Sequence, residues 1–174
     1  MAYHDRVLHA KLTPPRPNKR ALPRPALVQK LKGVLDHRLT IVQAPVGFGK
    51  STALMGLVEA ITMAPTHAQV AWYTITEEDS EPERYLSYLI AAFHRSLPNF
   101  SDRPLAELEA LEHSNSPKAW HNVIDALINA ITQSSNAPIV LIEEDYHLIA
   151  RNRLIAQLHE RLVSYMPPNM HVLV

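Results

Sequence analysis

One stretch constrains this chain more than any other: Ala44-Pro45-Val46-Gly47-Phe48-Gly49-Lys50-Ser51-Thr52. An apolar run, Leu39-Thr40-Ile41-Val42, precedes it, and the helix-like Ala53-Leu54-Met55-Gly56-Leu57-Val58 follows. Strand, tight loop and helix in that order place successive backbone N–H groups, from about Val46 to Ser51, at the positive end of a helix. There they can curl around a phosphate. Gly47 and Gly49 allow the positive-φ turns and the close backbone approach that this requires. Lys50 would then reach the β- and γ-phosphates and the Ser51 hydroxyl would hold Mg²⁺. The strict pattern G-x-x-x-x-G-K-[ST] begins with glycine where this chain has Ala44, a position that only has to be small. Residues 44–52 therefore predict a nucleotide site.

What surrounds the loop must then be an α/β layer structure. The chain has 174 residues, enough for one domain with a real core. It contains no cysteine, which excludes a disulfide framework and a thiolate metal site. No apolar run approaches the roughly 18 residues of a membrane span, and the first residues lack a signal-peptide core, so a cytoplasmic location is expected. The net charge of zero hides an asymmetry. Residues 1–38 carry nine Lys/Arg against two Asp/Glu, and the remainder carries eight against fifteen. A basic arm ahead of an acidic body can signal nucleic acid. Between Lys11 and Lys32, however, no aromatic side chain offers a base a surface to stack on. The favoured reading is an arm lying on its own acidic domain, without specific DNA binding.

Residues 1–25 are proline-rich and read as an extended arm rather than a helix or strand. A helical spacing follows at Leu27, Val28, Leu31, Val34 and Leu35. Strands are expected at about 38–42 and 70–76, around a long helix at about 49–63. Ser80 with Glu83 reads as a capping box for a helix bearing Leu86, Leu89, Ile90, Phe93 and Leu97. A short helix is expected near 105–111. Ser116-Pro117 then opens a helix striped with Trp120, Val123, Ile124, Leu127, Ile128 and Ile131. Pro138-Ile139-Val140-Leu141-Ile142 reads as a buried parallel strand. A helix with Leu154, Ile155, Leu158, Leu162 and Met166 leads to a fourth strand at Met170-His171-Val172-Leu173-Val174. Alternating strands and helices predict a P-loop three-layer sandwich around a parallel sheet. The division expected is a basic arm with a short helix at 1–36 and a nucleotide-binding domain at 37–174. The chain stops at its fourth strand, so it is expected to be the front part of something longer.

Hydrolysis needs acids opposite the loop, to hold Mg²⁺ and to orient water. In open α/β sheets such acids belong at the carboxyl end of a buried strand beside the loop strand. Glu143-Glu144-Asp145 follows the apolar run and meets that description. Ten histidines are scattered without metal-ligand spacing. His147, directly after the acids, either orients the water or γ-phosphate or simply fixes its loop.

Four stretches resemble the nucleotide-binding domain of MalT-like, LuxR-type ATP-dependent regulators, of the STAND class of signalling NTPases. They are Lys11-Leu12-Thr13-Pro14-Pro15 with Leu22-Pro23-Arg24-Pro25-Ala26-Leu27, and residues 44–52. The third is Ala71-Trp72-Tyr73 through Asp79 to Glu83-Arg84-Tyr85-Leu86-Ser87-Tyr88-Leu89-Ile90-Ala91-Ala92, and the fourth is Glu144-Asp145-Tyr146-His147-Leu148-Ile149. The resemblance implies a domain that binds ATP or ADP with Mg²⁺ and hydrolyses ATP slowly. It also implies a switch whose ATP state self-associates and activates transcription through a sensor domain and a helix-turn-helix that this chain does not contain. The family's fifth strand, its sensor arginine and its winged-helix segment are missing as well. The family's strand order implies that the fourth strand lies beside the loop strand. Its arm implies an adenine-side or phosphate-side contact for Arg24. Two registers compete for the acids. The generic rule of four apolar residues and then two acids assigns Glu143 to Mg²⁺ and Glu144 to water. Alignment on Tyr146-His147 assigns Glu144 to Mg²⁺ and Asp145 to water, with Glu143 standing where the family has an apolar residue. The second register is preferred.

A small-molecule P-loop kinase is the alternative enzyme. It would want clustered lid arginines, whereas Arg84, Arg95, Arg103 and Lys118 are spread along residues 72–138. A catalytically inert nucleotide-binding fragment is the third reading.

Overall fold

A sheet with helices on both faces is what the alternating pattern builds. The computed structural model describes residues 7–16, 22, 24–45, 47–65, 67–111 and 116–174. Within them, four strands run β1 (Leu39–Thr40), β2 (Gln69–Thr74), β3 (Ile139–Glu144) and β4 (Met170–Leu173). Six helices run α1 (Pro25–Leu31), α2 (Lys50–Thr62), α3 (Pro82–Ser96), α4 (Arg103–Ala110), α5 (Pro117–Ser134) and α6 (Arg153–Tyr165). The strands form one parallel sheet in the order β1-β4-β3-β2.

Strand alternation divides the core into two layers. Trp72, Val140, Ile142 and Leu173 face α1 and α2, packing with Leu31, Leu54, Leu57 and Ile61. Ala71, Tyr73, Ile139, Leu141 and Val172 face the other way, packing with Leu86, Leu89, Phe93, Leu127, Ile155 and Leu158. β3 is buried along its whole length, as its continuous apolar run requires. The architecture is the three-layer α/β sandwich expected.

Several local readings need correction. β4, not β3, lies beside β1, so the strand carrying the acids is one removed from the strand leading into the loop. This agrees with the strand order that the family resemblance implies. β1 is shorter than expected, although its pairing with β4 continues through Val172 N–H to Arg38 O at 2.8 Å and Val42 N–H to Val174 O at 2.7 Å. The arm is not wholly extended: His9–Leu12 forms a 3₁₀ turn that buries Lys11 and Leu12. The capping box lies at Thr76 and Asp79, not at Ser80 and Glu83; it caps the 3₁₀ turn Glu77–Ser80, and Pro82 opens α3 instead. Ser116 does cap α5, its Oγ accepting from the Ala119 N–H at 3.2 Å.

One basic side chain of the arm, Lys11, is held by the acidic body. Asp79, fully buried, accepts from Lys11 Nζ at 2.5 Å, Arg84 Nε at 2.9 Å and Thr76 N–H at 2.8 Å. Burial pushes the Asp79 carboxyl up, but its donors outweigh that and hold it below the usual carboxylate range. Lys11 Nζ also lies 4.8 Å from the Tyr88 ring centroid, and the Tyr88 hydroxyl accepts from Leu8 N–H at 3.1 Å.

Candidate functional site

The loop between β1 and α2 adopts the backbone its glycines foretell. Gly47 and Gly49 have φ of 84° and 78°, in the left-handed region that side chains avoid. A Cβ added to either would meet no atom within 4 Å, so backbone geometry, not crowding, is what calls for glycine. Gly49 is the N-cap of α2 and, lacking a side chain, leaves the first-turn N–H groups without a side-chain cap. These donors and the helix dipole make that end of α2 electropositive. Ala44 is partly buried, while Pro45, Phe48 and Thr52 are exposed. Val46 lies outside the described residues. Arg24, the N-cap residue of α1, donates from Nη1 to the Phe48 carbonyl at 3.2 Å, which brings the arm onto the loop.

The acids arrive from the end of β3. Glu144 is an even-numbered residue of the strand, on the face that packs against α2, and its Oε1 accepts from the Ser51 hydroxyl. Its Oε2 accepts from Thr74 Oγ1 at 3.4 Å, and Thr74 in turn accepts from Trp72 Nε1 at 2.8 Å. Asp145 leaves the strand with φ 64° and ψ 30°. That turn overrides the alternation that would send it to the side of Glu143. Its Oδ1 accepts from Lys50 Nζ at 2.5 Å. The first two residues of α2 therefore each meet one acid: Ser51 with Glu144, Lys50 with Asp145.

Glu143 faces the opposite layer and is fully buried. Its Oε1 accepts from the Tyr85 hydroxyl at 2.8 Å, and its Oε2 lies 2.7 Å from His159 Nε2. The His159 ring sits 4.5 Å from that of Tyr146, centroid to centroid. Burial pulls the His159 pKa down, but the charge and hydrogen bond of Glu143 outweigh it, and the net shift is upward. Sequence reasoning did not find this network. The signal was an acid where the family resemblance calls for an apolar residue, which at the end of a buried strand demands a partner. His147 is exposed, its Nδ1 4.0 Å from Asp145 Oδ1.

The donor set around Ser51 and Glu144 is a hydroxyl and a carboxylate, hard oxygen ligands of the kind Mg²⁺ takes. Among the described residues, no group of three or more His, Asp or Glu gathers into a protein-only cage. Mg²⁺ in nucleotide sites is ordinarily held by one or two protein groups together with phosphate oxygens, so these residues fit it. Also among the described residues, no helix is long and apolar enough to cross a membrane.

No protein-family model matches the chain. Curated proteins do. The chain is 26% identical over 168 residues to the HTH-type transcriptional regulator MalT of Yersinia enterocolitica serotype O:8 / biotype 1B (strain NCTC 13174 / 8081), covering 97% of this chain and 17% of that protein. It is 25% identical over 168 residues to the regulators of the same name from Yersinia pestis (strain Pestoides F) and Yersinia pseudotuberculosis serotype O:1b (strain IP 31758), with the same coverage. The chain thus spans about a sixth of the length of the curated relatives it matches. Along nearly all of its own length the chain is similar in sequence to those regulators, and that length is folded as an α/β sandwich.

Proposed function

We propose that this chain is an adenine-nucleotide-binding switch domain, a slow ATPase, of a MalT-like transcriptional regulator that works in the cytoplasm. One observation carries the reading. Lys50 and Ser51, at the start of α2, meet Asp145 and Glu144, more than ninety residues away in sequence. A phosphate-binding loop and a pair of acids converging on one point are the parts that nucleotide hydrolysis requires. The loop N–H groups and the α2 dipole would bind the phosphates, and Lys50 would pair with the β- and γ-oxygens. Arg24 would steady the loop through Phe48. Bound Mg²⁺, held by Ser51 and Glu144, would neutralise charge on the phosphate oxygens. Asp145 would take the proton of an attacking water, and Glu143 would take no part.

The proposed organisation is an arm with its helix at 1–36 serving a nucleotide-binding domain at 37–174. The sensor and helix-turn-helix belong to parts of a full-length relative beyond this sequence. Nucleotide-dependent self-association is expected of the full-length form, and specific DNA binding is not expected of this chain. A kinase reading gains nothing: Arg84, one of its four candidate cations, is taken up by Asp79 and Glu78.

The test is calorimetric titration of the chain with MgATP, MgADP and MgGTP, with Lys50→Ala as control. Adenine nucleotides should bind and Lys50→Ala should abolish binding. Binding that survives in Lys50→Ala, or a strong preference for GTP, would refute the assignment. In a chain extended to the full nucleotide domain, single-turnover hydrolysis should fall with Glu144→Gln and Asp145→Asn and not with Glu143→Gln.

A further inference from the structure

The contacts that bring the two halves of the site together also use up the groups that would bind ligand. Lys50 Nζ is spent on Asp145 at 2.5 Å, and the Ser51 hydroxyl on Glu144. We infer that these two contacts form a latch that only a cation–phosphate pair opens without loss: metal-free nucleotide is held out by Asp145, whereas the Mg²⁺ complex is admitted. The inference rests on the nucleotide reading above and adds to it the form of ligand that the site accepts.

The argument is one of charge balance. A phosphate anion approaching α2 must take Lys50 from Asp145. Coming alone, it leaves the carboxylates of Asp145 and Glu144 facing it, unpaired and repelling it. A phosphate carrying a divalent cation supplies both partners at once, an anion for Lys50 and a cation for the acids. The exchange is then pair for pair. The Lys50 and Asp145 side chains are only 23% and 37% exposed, so solvent screens their charges incompletely. Glu144 is more deeply set and its second oxygen is engaged by Thr74, so it cannot swing clear of the incoming anion.

The backbone adds a second reason. Asp145 holds its side chain on Lys50 from a left-handed conformation, φ 64°, sustained by the Leu148 N–H to Asp145 O bond at 3.0 Å and by the turn Tyr146–Leu148. Among non-glycine residues, Asp and Asn tolerate that conformation best. Asparagine is therefore the variant that removes the charge while leaving the turn intact.

The experiment measures ADP affinity by calorimetry for wild type and Asp145→Asn, each with Mg²⁺ and with EDTA. In EDTA, Asp145→Asn should bind ADP about tenfold or more tighter than wild type, within the usual range of a site-to-site coupling. With Mg²⁺ the two should differ much less, so the dependence of affinity on metal should shrink. Asp145→Glu, which keeps the charge, should stay close to wild type in EDTA, whereas a general loosening of the turn would affect both variants. If wild type binds MgADP but Asp145→Asn gains nothing in EDTA, the latch is wrong and the nucleotide reading stands. If wild type binds ADP under neither condition, the nucleotide reading fails and the latch with it.

Discussion

Replacing Glu143 separates an acid of the core from the two neighbours proposed to act at the nucleotide site. Its carboxylate is 0% exposed and serves two buried partners, the Tyr85 hydroxyl and the His159 ring. In Glu143→Leu both partners lose their acceptor inside the core. Orphaning a buried polar group costs about 1–3 kcal/mol, and removing one side of a buried charged pair about 3–5 kcal/mol. Leucine's own apolar burial offsets part of this, so a net loss of about 3 kcal/mol is expected. For a chain of this length that lowers Tm by roughly 6–12 °C. Glu143→Gln can still accept from Tyr85 and donate to a neutral His159, and should cost about 1 kcal/mol. It also removes a pH dependence. His159 has a raised pKa in the folded state, so its contribution is fully present below the ordinary histidine value of about 6.5 and is lost as pH rises through the raised folded value. Urea unfolding from pH 6 to 9 should show wild-type stability falling across this window, with the fall much reduced in Glu143→Gln. Nucleotide affinity should be unchanged in the Gln variant, because Glu143 faces the layer opposite α2. A Leu variant as stable as wild type, or a Gln variant with the full pH slope, would refute this account of the network.

Four further outcomes are expected elsewhere in the molecule. Lys11→Met should destabilise by about 1–3 kcal/mol, since Asp79 keeps Arg84 and Thr76 but loses its closest donor. Asp79 has a lowered folded pKa, so its stabilisation is present above its ordinary value and lost as pH falls through the folded one. Asp79→Asn should flatten that acid limb in denaturation curves below about pH 4. Gly49→Ala, forced to φ 78°, should lose about 1–2 kcal/mol of stability and weaken nucleotide binding in the same titration that tests Lys50→Ala. In gel-shift assays the chain should bind DNA weakly, with affinity falling steeply with salt and no sequence preference; a discrete operator preference would overturn the reading of the arm.

Most of the element order was legible because it depends on short-range periodicity. The stripe from Trp120 to Ile131, the run Ile139-Val140-Leu141-Ile142 and the two glycines before Lys50 each settle their local backbone whatever packs against them. The Thr76-x-x-Asp79 box has the same sequence form as Ser80-x-x-Glu83, and only the structure shows which of these overlapping patterns in one acidic stretch closes. The Lys11–Asp79 contact was not visible, since sixty-eight residues separate its partners and no periodicity relates them.

The acids show where local information stops. Sequence alone determined that a phosphate-type loop opens a helix, that three acids end a buried strand, and that alternation separates Glu143 from Glu144. It did not determine which of these two meets Ser51. That choice depends on which face of β3 lies against α2, and so on how the whole sheet is sandwiched: Val140 and Ile142 pack on the α2 side, and Glu144 continues their row. Nor did alternation place Asp145, which the left-handed turn swings out of the strand and onto Lys50. A side chain's direction along a strand is a local property, but the neighbour it meets is decided by long-range packing, and where the strand breaks even the direction passes to the turn.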